Sequence, residues 1–145
     1  MTNDVPLPPE FDPVRFIKGM ARAGHNGLVG MRYHAHGADW CELALDYREG
    51  LVGDTASGFL ASGPIITMMD MATSISIWLK TGVFRPQATL DLRVDYLRPA
   101  EPGRSVFGRG ECYRLTKSIA FIRGEAHDGV PGRPVAHVTG TYIFT

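Results

Sequence analysis

The sequence lacks net charge: 15 Lys and Arg residues balance 15 Asp and Glu residues. Without a global field there is no general attraction to nucleic acid or to an anionic membrane surface, so any anion site must be local. Cysteine is scarce. Cys41 and Cys112 stand far apart and form no CxxC or Cys/His spacing, which fits free thiols in a reducing cytoplasm, with a mutual disulfide as the alternative. Long apolar runs are missing too. The most apolar stretch, Pro64 to Leu79, is interrupted by Asp70 and several hydroxyl residues and is too short to span a bilayer. The opening MTNDVPLPPE has neither a basic nor an apolar segment, so no signal peptide is expected.

What remains is an ordinary globular composition, 44% hydrophobic and 21% charged over 145 residues, enough for one core without disulfide or metal support. Residues 1–10 hold three prolines and are expected to form an extended arm; residues 11–145 are expected to form a single domain. Val14, Phe16, Ile17 and Met20 space a short amphipathic helix from Phe11 to Ala23, closed by Gly24. Partial alternation over Gly27–His36 and Asp39–Tyr47, with Gly37-Ala38 between, predicts a hairpin. Glu49 to Gly63 is rich in small residues and reads as a loop. Pro64 suits the first position of a helix capped by Ser62 or Gly63, running to about Lys80 and closed by Gly82. Its apolar residues go nearly all the way round, which marks a helix covered on most sides. Strands follow at Thr89–Leu97, Ser105–Leu115, Ile119–His127 and Val135–Phe144, with turn residues between them. Short connections make neighbouring strands antiparallel, so the class is α+β.

Asp70 is the most informative residue. An unpaired carboxylate is costly to bury in an apolar helix, so it must have partners, face a cavity or be protonated. Thr67, Asp70 and Ser74 fall at helical spacing, with Thr73 beside them. A base or nucleophile looking into a cleft and a structural aspartate held by neighbouring groups both satisfy that pattern. The approach Gly58-Phe-Leu-Ala-Ser-Gly-Pro64 sets free amides of Ser62, Gly63 and Ile65 at a helix start, suited to an anion or to plain capping. His34 and His36 share a strand face but have no evident third ligand, so no metal site is expected. No G-x-S-x-G motif is present to support a serine triad. Arg98, Arg104, Arg114 and Lys117 lie near strand ends, where phosphate groups could meet them.

Gly58 through Asp70, then Thr89-Leu-Asp-Leu-Arg-Val-Asp-Tyr-Leu-Arg-Pro-Ala100, Gly103 and the closing Ala136-His-Val-Thr-Gly-Thr-Tyr142 together resemble the hotdog acyl-CoA thioesterases of the phenylacetic-acid-degradation type. The resemblance runs from about Leu28 to Thr145. It implies a hotdog fold, with a long central helix wrapped by a curved antiparallel sheet, in homodimers joined edge to edge or dimers of dimers. It implies an active site between subunits and no cofactor, coenzyme A being part of the substrate. Asp70 would then be the base or nucleophile, Thr89 would orient water, and the amides of Ser62 and Gly63 would hold the thioester oxygen. Thr55 and Ala61 stand where the family has polar and histidine side chains near the substrate. Met69, Thr73 and Ile77 would line an aryl or medium-chain acyl group, and Arg98 and Lys117 would approach the nucleotide. The family usually reads His-Gly-Gly before the helix, whereas this chain has Ala61-Ser62-Gly63. That departure supports one rival, a non-catalytic acyl-CoA or lipid-binding protein. A hydratase, which needs a histidine and acid pair, has no histidine in the corresponding turn or helix.

Overall fold

A computed structural model describes residues 11–145. The arm expected over residues 1–10 lies outside them. The first helix, α1 (Pro13–Met20), starts where Asp12 accepts from the Arg15 amide and a proline takes the first helical position. It buries Ile17. A second short helix, α2 (Gly24–Val29), stands where a strand from Gly27 was expected. Gly30 ends it at φ 75°, a left-handed turn that glycine adopts freely, and Val29 is its buried anchor. Strand pairing therefore begins later, with β1 (Arg32–His36) against β2 (Trp40–Leu45).

The expected loop holds more structure than its glycines indicate: a 3-10 turn at Glu49–Leu51 and a small hairpin, β3 (Val52–Asp54) with β4 (Phe59–Leu60). The central helix α3 (Ser62–Thr81) starts two residues earlier than Pro64 implies, with Ala61 rather than Ser62 or Gly63 as its cap. Pro64 fits at the third position because the first four helical amides have no intrahelical acceptor. Gly82 closes α3 at φ 75°, its amide donating to Trp78 and Leu79.

Four long strands follow: β5 (Gln87–Tyr96), β6 (Val106–Leu115), β7 (Ile119–His127) and β8 (Pro134–Phe144). They join β1 and β2 in one antiparallel sheet ordered β1-β2-β6-β7-β8-β5, with β5 on an edge. The sheet curves around α3, which packs on β2, β6 and β7, and this is the hotdog fold. The close approach has a local cause. A Cβ on Gly110 would stand 2.6 Å from the Thr73 nitrogen and 2.7 Å from the Ala72 carbonyl carbon. One on Gly108 would stand 2.6 Å from the Met69 sulfur. Glycine on β6 lets the helix backbone rest directly on the sheet, burying Ile65, Met68, Met69, Ala72 and Ile75 against Leu43, Leu45 and Val106.

Candidate active site

Asp70 lies about two turns into α3, on the side toward β5 and β8. Register explains what it meets there. Thr89 on β5 is paired directly with Tyr142 on β8, so both side chains leave the same face of the sheet. The Thr89 hydroxyl donates to Asp70 Oδ1 at 3.0 Å, and the Tyr142 phenol reaches the same oxygen at 2.7 Å. No hydrogen-bond partner reaches Oδ2 among the described residues.

The phenol is also 2.9 Å from the Thr73 hydroxyl and 2.9 Å from the main-chain oxygen of Asp70. A phenol has one proton, and a carboxylate is the strongest acceptor within reach, so Oδ1 takes it. Thr73 completes the arrangement with its own contacts to the Met69 and Asp70 carbonyls, at 2.9 and 3.0 Å. Burial, and then the adjacent Asp70 carboxylate, hold the Tyr142 phenol well above its usual value. It therefore remains a donor throughout the neutral range.

The other half of the expected machinery is elsewhere. Ser62 and Gly63 are the first two residues of α3, both exposed, and their amides meet no acceptor among the described residues. With a rise of about 1.5 Å per residue, eight residues put Asp70 about 12 Å down the axis from Ser62. Within one chain the acid and the free amides of the helix start are thus too far apart to reach the same carbonyl. Strand β5 spans that separation: the Tyr96 hydroxyl donates to the Ser62 carbonyl at 3.2 Å, and the Gln87 amide donates to the Ser74 carbonyl at 3.0 Å.

The model of the thioesterase superfamily matches residues 57–135, more than half of the chain. The chain belongs to the thioesterase superfamily. A medium/long-chain acyl-CoA thioesterase of Escherichia coli K12, YigI, is 27% identical over 139 residues, covering 81% of this chain and 83% of its own length. A crystal structure of a Pseudomonas aeruginosa protein is 37% identical with a TM-score of 0.78, covering 90% of this chain and 94% of that one. A mutant of the phenylacetic acid degradation protein PaaI from Thermus thermophilus shares the fold at 24% identity and a TM-score of 0.68, over 81% of this chain and 95% of that one. As a member of this superfamily the protein is a hydrolase acting on thioester bonds. No helix among the described residues is long and apolar enough to cross a membrane.

Several expected substrate contacts fall in other places. Met69, Thr73 and Ile77 form a helical stripe that is wholly buried beneath the sheet, so in the chain as described they line no open surface. A helix apolar on nearly every side does not announce in the sequence which side faces the sheet. Arg98 grips the buried Asp128 through both terminal nitrogens, at 2.7 and 2.8 Å, and donates to the Arg133 carbonyl. Its donors hold the chain together and are not turned toward a nucleotide. Lys117 and Thr55 are exposed in turns, and Ala61 is half-buried. His34 approaches Glu42 at 3.4 Å while His36 bonds Tyr33 at 2.8 Å, so the two imidazoles have separate partners. His25 meets the Thr67 hydroxyl at 3.2 Å. Tyr142 was visible in the sequence only as the end of a closing motif; its link to Asp70 spans 72 residues and needs the β5–β8 register.

Proposed function

We propose that the protein hydrolyses an acyl-CoA thioester, with an aryl or medium-chain acyl group, to the free acid and coenzyme A. The observation that carries this reading is Asp70: a half-buried carboxylate in an apolar helix, one oxygen held by Thr89 and Tyr142, the other unbonded. Its Oδ2 takes a proton from water as the water oxygen adds to the thioester carbonyl carbon. The C–S bond then breaks and the thiolate leaves with that proton. Attack by Oδ2 itself, through an anhydride that water later cleaves, is the other course the same geometry supports. Thr89, bonded to Oδ1, orients the water through the carboxylate it holds.

The amides of Ser62 and Gly63 serve as donors to the developing oxyanion, supplied by a second copy of the chain. Among the described residues, strand β5 is a sheet edge with its outer backbone groups unpaired. A two-fold pairing of β5 with itself sets the Tyr96 end of one strand opposite the Gln87 end of the other. Since Tyr96 sits by the helix start and Thr89 by Asp70, each acid is brought toward its partner's oxyanion site. The assembly is then a homodimer, or a dimer of dimers. Exposed Ile66, one turn before Asp70, and exposed Leu90, beside Thr89, offer the acyl group an apolar path at that junction. The E. coli relative's medium/long-chain activity supports an aliphatic substrate. Exposed Lys117 is a candidate for the nucleotide phosphates, with no cofactor required. Two buried free thiols fit a cytoplasmic location.

Thiol release from a panel of aryl, short and medium acyl-CoAs tests the reading. Asp70→Asn, an isosteric change, should lower kcat by on the order of 10³-fold or more while leaving the fold intact. Wild-type turnover in Asp70→Asn would refute it.

A further inference from the structure

Two donors from neighbouring strands converge on one oxygen of Asp70, and only one of them was expected to belong to the site. Tyr142 is 1% exposed, and its ring packs with Ile77, Cys112, Ala120 and Ile122, which fixes the phenol in place. Its hydroxyl is 2.7 Å from Oδ1, and the Thr73 hydroxyl braces it from the helix side at 2.9 Å. The groups bonded to the carboxylate are Thr89 from β5 and Tyr142 from β8, with Thr73 from α3 behind the phenol; no charged side chain bonds to it among the described residues. The acid is therefore oriented by neutral donors alone.

We infer that Tyr142 is a positioning residue for the reaction, holding Oδ1 of Asp70 together with Thr89 so that Oδ2 is the oxygen that reacts. This rests on the reading of Asp70 as the reacting group. A carboxylate on two rotatable bonds otherwise presents either oxygen and several orientations. With Oδ1 pinned from two strands, Oδ2 is left on the side away from both donors. Thr89 alone would leave the group free to pivot about a single contact.

Tyr142→Phe removes the hydroxyl and keeps the ring. We expect kcat to fall roughly 10- to 100-fold, the loss of one hydrogen bond to a charged group, with KM within about threefold. The loss should fall on kcat and not on KM, the signature of a contact that orients the reacting group. A purely structural role for Tyr142 would lower the melting temperature and leave kcat of the folded enzyme in place. In an Asp70→Asn background the same change should have no further effect on turnover. Wild-type kcat in Tyr142→Phe, with Asp70→Asn inactive, would overturn this inference and leave the function standing. Full activity in Asp70→Asn would instead remove the function on which it rests. Should Tyr142→Phe fail to fold, tyrosine labelled at Cζ in the wild-type protein gives a second reading. The buried Tyr142 resonance should move between the wild-type protein and Asp70→Asn, because its acceptor changes from a carboxylate to an amide, and an unmoved resonance would refute the inference.

Discussion

Gly110→Ala tests the contact that sets the depth of the central helix. The new methyl would stand 2.6 Å from the Thr73 nitrogen, 2.7 Å from the Ala72 carbonyl carbon and 2.8 Å from the Thr73 Cα. Ordinary contact is about 3.5 Å, so α3 must retreat by about 0.8 Å. All three obstructing atoms are helix backbone, so no side chain can swing aside. The substitution restricts the unfolded chain, which stabilises by about 0.4–1 kcal/mol, but overpacking of this kind costs about 1–3 kcal/mol or more. We expect a net loss of about 2 kcal/mol. For 145 residues the unfolding entropy is about 0.3 kcal/mol per degree, so the melting temperature should fall by roughly 7 °C. Turnover should fall as well, because Thr73 braces the phenol that holds Asp70. Thermal unfolding by circular dichroism and thiol release are the assays. Gly50→Ala, whose Cβ meets nothing within 4 Å, is the control. A melting temperature for Gly110→Ala that matches the control, with wild-type kcat, would refute the reasoning.

Ser62→Pro should keep the fold, since proline is favoured at the first helical position and Ala61 already has the extended backbone (φ −63°, ψ 152°) that a following proline requires. It deletes one proposed oxyanion amide, so kcat should drop on the order of 10²-fold with an unchanged melting curve; unchanged turnover would remove Ser62 from the site. Unfolding Ser62→Pro together with Asp70→Asn and refolding the mixture should restore about a quarter of wild-type activity, because half the dimers then hold one intact composite site. No recovery in a mixture that forms mixed dimers would place both groups in a single-chain site. Asp128→Ala should destabilise by about 3 kcal/mol, leaving Arg98 largely covered and unpaired. Hydrogen bonds from Arg98 hold the Asp128 carboxyl well below the usual carboxylate range, so the folded state binds fewer protons than the unfolded one. That stabilisation is complete above about pH 4–5 and is lost as pH falls through the ordinary carboxylate range and below it. Wild-type protein should therefore lose more stability than Asp128→Ala between pH 5 and about pH 3 in a series of urea melts; parallel losses would contradict the assignment.

The elements that were legible are those whose signal is local. Gly82 closes the helix where expected, and β6 and β7 end at Leu115 and Ile119 on either side of the Thr116-Lys117 turn. Residues 24–29 misled because a six-residue helix with two glycines has no apolar period to display. The hairpin of β3 and β4 was hidden by strands of three and two residues, too short to show alternation. In β5, Leu90 follows the alternation of Leu92 and Val94 in sequence, yet it is 56% exposed, because a register shift after Thr89 breaks the pairing there. No local pattern reports a bulge that depends on the partner strand.

The candidate site divides along the same line. Asp70 is legible because a carboxylate amid Met69, Met71 and Ala72 violates local patterning, and such violations mark sites or strain. Tyr142 violates nothing: aromatic residues suit strands, and its hydroxyl becomes informative only when β8 lies beside β5 and over the third turn of α3. Arg98 was ambiguous in the opposite sense, since a strand-end arginine fits both a phosphate ligand and a structural clamp until the buried Asp128 is seen against it. The separation of the acid from the helix start was implicit in the sequence all along, because eight residues of helix cannot be shorter than about 12 Å. That distance, with an unpaired β5 edge between the two groups, is a physical reason for the site to need a second copy. It makes the mixed-variant experiment the most direct test of how the two halves combine.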